Sequence, residues 1–215
     1  LQEGLVARGH RLRTKSDTEV ILRLYQEEGP DCVKHLRGMF GFAIWDERRG
    51  RLLAARDRLG QKPLYYAVRD GKLLFGSEIK ALLAADPTLA QVDTEALDQY
   101  FALRVIASPR SMFRGIRKLP PGHRLTFAFD SGLKIDRYWD LSYEPKLTGT
   151  EDELLEELDH RLIECLRLHL VSDVPVGAFL SGGLDSTLIV AMIMKHGLTD
   201  DLQTFSAGLP YRDMD

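Results

Sequence analysis

A segment rich in serine and glycine carries the clearest chemical signal in the sequence, Ser181-Gly182-Gly183-Leu184-Asp185-Ser186. The almost wholly apolar residues 174–180 before it predict a buried parallel strand, and the apolar residues 187–196 after it predict a helix. A glycine turn between a strand and a helix points backbone N–H groups at an anion, and glycine lets the backbone approach a phosphate closely. The spacing therefore predicts a phosphate-binding loop, to which the Ser181 and Ser186 hydroxyl groups add donors.

Asp185 is the member of this loop that anion binding alone does not explain. A carboxylate repels a bound phosphate unless a cation bridges the two, so we expect Mg²⁺ between Asp185 and the phosphates. The loop matches neither the G-x-x-x-x-G-K-[ST] phosphate loop nor the G-x-G-x-x-G dinucleotide fingerprint. A plain turn with an Asp–Ser helix cap is the alternative that the spacing leaves open. Residues 202–209 then predict the next parallel strand, which closes a βαβ unit.

A linker and a long helix are predicted ahead of this loop. Residues 144–150 contain proline, glycine and two threonines, which favours a boundary there between domains 1–147 and 148–215. Thr150 and Glu153 have capping-box spacing. After them an apolar stripe repeats every fourth residue, through Leu154, Leu158, Leu162, Leu166 and Leu170. Cys165 lies one residue from this stripe, which predicts a core position.

The first domain is predicted as α+β, with antiparallel sheets and helices. Ser16 and Glu19 have capping-box spacing at the start of a helix over residues 16–29, and a short helix follows over 30–37. The aromatic and branched segments of residues 38–77 predict an antiparallel meander of four strands, with a hairpin turn at Asp70-Gly71. Helices are predicted over 77–85 and 93–103, and a strand over 122–129. Beyond the linker, the pattern predicts the start of a parallel α/β sheet.

Composition restricts the class of protein. The 215 residues carry 29 Lys and Arg against 32 Asp and Glu, which gives no basic surface for nucleic acid. No apolar run is long enough to span a membrane, and the six histidines show no metal-ligand spacing. Of the two cysteines, Cys32 follows a predicted helix start and is expected to be buried. Two cysteines far apart favour a reducing compartment, so we expect a cytoplasmic protein.

Several motifs, in order, resemble the glutamine-hydrolysing asparagine synthetase family: SDTEVIL, RGMFGFAIWD, RDRLGQKPLYY, GSEIKALL and SDVPVGAFLSGGLDS. The resemblance covers almost the whole chain. It implies an N-terminal-nucleophile glutaminase domain followed by an ATP-pyrophosphatase-type synthetase domain. It also implies the reaction: ammonia from glutamine attacks β-aspartyl-AMP, formed from aspartate and ATP with Mg²⁺, and gives asparagine, AMP and pyrophosphate. A homodimer is one assembly that it allows.

The same resemblance implies roles for individual residues. Asp17 matches the carboxylate that binds the α-amino group of glutamine, although an Asp in a first helical turn also serves the helix dipole. Leu180 and Ala207 match positions that contact ATP. The pyrophosphate and Mg²⁺ loop matches Ser181, Gly182, Gly183, Asp185 and Ser186. For Arg56, Asp57 and Lys62 in RDRLGQKP, a structural ion-pair role competes with a catalytic one.

The family's N-terminal catalytic cysteine has no match in this sequence, which begins with Leu1. We therefore expect an internal piece of a longer protein, incomplete at both ends and inactive by itself. A related enzyme that amidates or cyclises another carboxylate is the nearest alternative, of the β-lactam synthetase type or from a cell-surface pathway. A non-catalytic docking module is the alternative from a different class.

Overall fold

The chain divides into two structural units after Leu141. The computed structural model describes residues 1–208. In the first unit the helices are α1 (Gln2–Ala7), α2 (Asp17–Glu28), α3 (Ile79–Ala85) and α4 (Thr94–Leu103). Its strands are β1 (Gly41–Asp46), β2 (Arg51–Arg56), β3 (Tyr65–Arg69), β4 (Lys72–Gly76), β5 (Arg117–Lys118), β6 (His123–Ala128) and β7 (Gly132–Arg137). Short 3₁₀ segments cover Gly29–His35, Glu47–Arg49 and Pro87–Leu89. The predicted α+β class of this part is confirmed.

The strands of the first unit form two antiparallel sheets rather than the single predicted meander. One sheet has the order β1-β2-β6-β7 and the other the order β4-β3-β5. The prediction of four consecutive paired strands over residues 38–77 is wrong, because β2 pairs with the distant β6 instead of β3. The Asp70-Gly71 hairpin is confirmed: both residues have positive φ angles, 49° and 71°, as a tight two-residue hairpin turn requires. Strand β7 was not predicted.

The first unit has four layers, in the order helix, sheet, sheet, helix, and alternating side chains of its strands pack against the layer on either side. Leu53 and Ala55 of β2 pack with the core beneath α2, whereas Ala54 between them packs with β6 and with Tyr66 of the other sheet. Ala67, beside Tyr66, packs with α3. This alternation follows from the two-residue period of a strand, which sends neighbouring side chains to opposite faces. Cys32 is fully buried in the core beneath α2, as predicted.

Helix α2 begins where the sequence predicts it, but its cap differs. The Ser16 side chain accepts a hydrogen bond from the Thr18 backbone N–H (3.2 Å), rather than from that of Glu19. The Glu19 carboxylate instead accepts from the backbone N–H groups of Arg13 and Thr14 and from the Thr14 hydroxyl, at 2.7–3.0 Å. The predicted capping box is therefore wrong, because three donors outside the helix engage the carboxylate that the box would have used.

The second unit contains α5 (Glu151–His169), β8 (Gly177–Phe179), α6 (Leu184–Lys195) and β9 (Gln203–Phe205). Strands β8 and β9 are parallel, with α6 between them in the chain, so the predicted start of a parallel α/β sheet is confirmed. Helix α6 begins three residues earlier than predicted, inside the serine- and glycine-rich segment. Leu209, the last residue of the predicted second strand, lies outside the described residues.

Helix α5 confirms one prediction and corrects another. Its capping box forms: the Thr150 N–H donates to the Glu153 carboxylate (2.8 Å) and the Glu153 N–H donates to the Thr150 hydroxyl (3.3 Å). The leucine stripe, however, is not buried, and Leu158 is 52% exposed. Cys165 is also exposed, so its predicted core position is wrong. Residues 142–208 supply too few elements to cover this helix face. Within residues 1–208, no helix is both long and apolar enough to cross a bilayer.

Candidate functional sites

The ends of β8 and β9 bring the predicted nucleotide-contacting residues together. The Leu180 N–H donates to the Phe205 carbonyl oxygen (2.8 Å), and the Ser206 hydroxyl donates to the Leu180 carbonyl oxygen (2.6 Å). These two bonds continue the strand pairing past the last residue of each strand. They place Leu180 and Ala207 at the same carboxyl edge, which is where ligands bind to open parallel sheets.

The loop of residues 181–186 leaves this edge and closes on itself. The Ser186 hydroxyl accepts a hydrogen bond from the Ser181 N–H (3.2 Å), lies 3.0 Å from the Ser181 hydroxyl and donates to the Gly183 carbonyl oxygen (3.1 Å). Gly182 between them has a φ angle of 80°, in the left-handed region that other residues rarely adopt. A Cβ atom at Gly182 would have no heavy atom within 4 Å, whereas one at Gly183 would lie 3.4 Å from Ser181 Oγ. At Gly182 it is therefore the backbone conformation, rather than a lack of space, that favours glycine.

The N-terminus of α6 opens onto this loop without a side-chain cap. Gly183 is the N-cap residue, and its own N–H donates to Ser181 Oγ (3.4 Å). Among residues 1–208, no side chain caps the first turn of the helix. The Asp–Ser cap that the spacing left open as an alternative is therefore not formed, since Ser186 bonds back to Ser181 and Gly183 instead. An uncapped N-terminus retains backbone N–H groups and the positive end of the helix dipole, which together suit a phosphate.

Asp185 lies in the first turn of α6 and is exposed. Within residues 1–208, no three His, Cys, Asp or Glu side chains cluster as a metal site would need. One carboxylate with neighbouring hydroxyl groups does fit the usual way in which Mg²⁺ is held, by one or two carboxylates together with phosphate oxygens. The donor set thus fits a metal shared with a bound phosphate, rather than one held by protein alone.

Asp17 is the first residue of α2 and lines two adjoining cavities of the first unit. Their volumes are about 510 and 460 Å³, and Asp17, Ile21, Met39 and Phe40 line both of them. Within the described part of the chain, the exposed Asp17 carboxylate accepts only long hydrogen bonds, from the hydroxyl groups of Ser16 (3.5 Å) and Thr18 (3.4 Å). It is therefore available to accept stronger hydrogen bonds from an ammonium group of a ligand.

The loop of residues 57–62 borders the second cavity and is fixed through backbone bonds rather than the ion pair that the sequence suggested. Asp57 is buried, and its carboxylate accepts from the N–H groups of Gln61 and Lys62, at 2.9 Å each. The Arg56 guanidinium donates to the carbonyl oxygens of Gly60, Lys62 and Leu119, at 2.6–2.8 Å. Both residues thus have structural roles, while Lys62 lines the cavity.

A polar cluster that sequence reasoning missed joins α2 to the β1–β2 hairpin. The Tyr25 hydroxyl donates to the Asp46 carboxylate (2.9 Å), which also accepts from the Arg49 guanidinium (2.8 Å). Arg49 lowers the pKa of Asp46 to about 2, and burial raises the pKa of Tyr25. Asp46 and Arg49 are only three residues apart, but Tyr25 lies 21 residues before Asp46, so no local pattern could have revealed the contact between α2 and the hairpin.

Two family models match the chain. The model for the glutamine amidotransferase domain matches residues 1–139, so the chain belongs to the glutamine amidotransferase domain family. The model for asparagine synthase matches residues 157–215. The chain therefore joins an amidotransferase domain to asparagine synthase sequence, and the resemblance inferred from its motifs is confirmed.

Curated relatives agree with this assignment. Asparagine synthetase [glutamine-hydrolyzing] 3 of Bacillus subtilis is 47% identical over 197 residues, covering 91% of this chain and 32% of the relative. Asparagine synthetase [glutamine-hydrolyzing] 1 of the same organism is 37% identical over 208 residues, covering 97% and 32%. Amidase chry2 of Gibberella zeae is 39% identical over 181 residues, covering 83% and 26%. The chain thus spans about a third or less of the length of these relatives.

Proposed function

We propose that the protein containing this chain is a glutamine-hydrolysing asparagine synthetase. Ammonia released from glutamine attacks β-aspartyl-AMP, which forms from aspartate and ATP with loss of pyrophosphate, and the products are asparagine and AMP. The observation that carries the proposal is the loop of residues 181–186, which lies at the carboxyl edge of β8 and β9 and leads into the uncapped N-terminus of α6. It occurs in a chain whose first 139 residues belong to the glutamine amidotransferase family.

The loop geometry supports a role for each of its residues in ATP binding. Backbone N–H groups of Gly182 and of the first turn of α6 donate to the pyrophosphate part of ATP. The Gly183 N–H and the Ser181 and Ser186 hydroxyl groups, which form hydrogen bonds within the loop, exchange those bonds for phosphate oxygens. Leu180 and Ala207, at the sheet edge, contact the nucleotide. Asp185 holds Mg²⁺, which when bound neutralises phosphate charge and so favours departure of pyrophosphate.

Asp17 has the corresponding role toward glutamine. Its carboxylate binds the α-ammonium group of glutamine in the cavities next to the start of α2. Cys32, the one cysteine in the sequence of residues 1–141, is not suited to be the nucleophile of the hydrolysis, because it is fully buried and burial raises the pKa of its thiol to about 11. A thiol with that pKa is almost wholly protonated at neutral pH and is a poor nucleophile.

The proposed partners are small molecules: glutamine, aspartate and ATP with Mg²⁺. A cytoplasmic location is proposed because the chain has only two cysteines and they lie far apart in the sequence, which favours a reducing compartment. A homodimer stays a prediction from the resemblance.

Product analysis of the full-length protein tests this function. Incubated with glutamine, aspartate, ATP and Mg²⁺, it is expected to form asparagine, AMP and pyrophosphate in equal amounts. ADP and phosphate in place of AMP and pyrophosphate would contradict adenylation. Replacing glutamine by ammonium salts is expected to support the same products.

A second candidate is an amidotransferase that acts on another carboxylate. This candidate is supported by the 39% identity to a relative that is named as an amidase rather than as an asparagine synthetase. Pyrophosphate release in a panel of carboxylic acids distinguishes the two: the main proposal expects release with aspartate, whereas this candidate expects release only with another acid.

A further inference from the structure

The buried carboxylate of Asp57 holds both walls of the second cavity beside Asp17. Its Oδ1 accepts from the Gln61 N–H (2.9 Å), and its Oδ2 accepts from the N–H groups of Lys62 (2.9 Å) and Phe40 (3.4 Å). Lys62 and Phe40 line the cavity, whereas Asp57 itself does not. A single side chain therefore joins the segment entering β1 to the end of the 57–62 loop.

Backbone bonds extend this junction. The Asp57 N–H donates to the Phe40 carbonyl oxygen (2.9 Å), and the Asp57 carbonyl oxygen accepts from the N–H groups of Gly60 (3.1 Å) and Gly122 (2.9 Å). The two walls also approach each other closely, since a Cβ atom at Gly41 would lie 3.3 Å from the Pro63 carbonyl oxygen. A shift of either wall would therefore change the width of the cavity.

Burying the carboxylate of Asp57 also has a high free-energy cost, which suggests a purpose beyond stability. It is 1% exposed, and Ser111 is the other buried polar residue of the described core. A buried carboxylate is tolerated when its oxygens accept several hydrogen bonds, as they do here. An amide in its place has one acceptor oxygen, so its NH₂ group would face one of the N–H donors.

We propose that Asp57 is a positioning residue for glutamine: by fixing Phe40 and Lys62 on opposite walls, it keeps the cavity beside Asp17 in the shape that binds the substrate. This inference rests on the proposed function, in which that cavity takes glutamine. It assigns Asp57 no contact with glutamine and no part in the synthetase reaction.

Kinetics of the full-length D57N variant test the proposal. We expect the KM for glutamine to rise about tenfold, because the amide NH₂ group must face either the Gln61 N–H or the N–H groups of Lys62 and Phe40, and in both cases the 57–62 loop loses an anchor beside the cavity. The kcat with ammonia as nitrogen donor is expected to stay within about twofold of wild type. An unchanged KM for glutamine would overturn the proposal. So would an equal loss with both nitrogen donors, which is what a merely structural role predicts.

Ser111→Ala is the matched control. Ser111 is 2% exposed and its hydroxyl donates to the Ile116 carbonyl oxygen (2.8 Å), yet it lines neither cavity beside Asp17. This variant removes a buried polar anchor elsewhere and is expected to leave the KM for glutamine unchanged. If the KM for glutamine rose as much in this variant as in D57N, the loss of any buried polar side chain would have this effect, and the proposal would be overturned.

Two further variants keep the test decisive. If D57N does not fold, G60A strains the same loop, since a Cβ atom at Gly60 would lie 2.8 Å from Pro121 Cγ. An unchanged KM for glutamine in soluble G60A would overturn the proposal.

The D17A variant separates the positioning role of Asp57 from the proposed glutamine site. If the KM for glutamine rises in D17A but not in D57N, only the positioning role is refuted. If it is unchanged in D17A, glutamine binding in this cavity is refuted as well.

Discussion

At the scale of single residues, Glu19 shows how one carboxylate can fix the segment that leads into a helix. It accepts hydrogen bonds from the Arg13 and Thr14 backbone and from the Thr14 hydroxyl, and these bonds lower its pKa to about 2. The segment it holds runs directly into Asp17. Glu19 therefore orders the approach to the proposed glutamine site without lining either cavity beside Asp17.

Replacing Glu19 by glutamine gives a pH-dependent prediction. Because the folded pKa of Glu19 lies below the ordinary value of 4.5, its stabilising contribution is present above pH 4.5 and is lost as the pH falls toward 2. We expect E19Q to be less stable than wild type near pH 7, and the two to converge as the pH approaches 2. Urea unfolding at a series of pH values measures this. A stability difference that is the same at every pH would contradict it.

The strand–turn–helix order around the proposed phosphate loop could be predicted from the sequence, but the hydrogen bonds within the loop could not. Residue types and the strand–turn–helix order of the segment around Gly182 were enough to predict an anion site. The bond from the Ser181 N–H to the Ser186 hydroxyl depends on α6 beginning at Leu184, which the apolar pattern placed later. Asp57 was ambiguous for a similar reason, since its backbone partner Phe40 lies in the segment that enters β1, 17 residues earlier in the chain.

At the scale of elements, β2 is the centre of the first unit because each of its faces belongs to a different core. Leu53 is fully buried beneath α2. Leu53→Ala is expected to cost about 2–5 kcal/mol of unfolding free energy, from lost burial and the cavity left behind. Trp45 and Trp139 both lie in this unit, so tryptophan fluorescence during denaturant unfolding follows it.

Leu103→Ala is the control for Leu53→Ala. Leu103 ends α4 in the same unit but is 62% exposed. Its replacement is expected to change the stability by no more than about 0.5 kcal/mol. Equal effects of the two substitutions would contradict the described core.

The capping box of α5 gives a prediction for the second unit. Thr150→Ala removes the side chain that accepts from the Glu153 N–H, and we expect it to destabilise the helix by about 1 kcal/mol. Thr148→Ala, two residues earlier and exposed, is the control. Thermal unfolding followed by circular dichroism compares the two. Identical unfolding curves for both variants would show that the cap contributes nothing.

Local pattern predicted helices and hairpins well and sheet order poorly. The start of α2, the capping box of α5 and the Asp70-Gly71 turn depend on neighbouring residues, and all three were found from the sequence. The pairing of β2 with β6 joins segments far apart in the chain, which hydrophobic alternation does not encode. The leucine stripe of α5, none of whose residues is buried, shows the converse: periodicity predicts an apolar face but not what covers it.

At the scale of the whole molecule, the proposed function divides its chemistry between the two units. Asp17 and its cavities belong to the first unit, and the proposed phosphate loop with Asp185 belongs to the second. If the first supplies nitrogen from glutamine and the second activates a carboxylate with ATP, damage to each unit should have a different consequence. Supplying ammonia directly makes the first reaction unnecessary and leaves the second one required.

Pyrophosphate release by the full-length D17A and D185A variants, measured with glutamine and with ammonia, tests this division most directly. We expect D17A to lose glutamine-supported asparagine formation while keeping ammonia-supported synthesis and its pyrophosphate. D185A is expected to lose pyrophosphate release with both nitrogen donors. Wild-type release by D185A would contradict the ATP site at residues 181–186, and equal losses with both donors in D17A would contradict the glutamine site at Asp17.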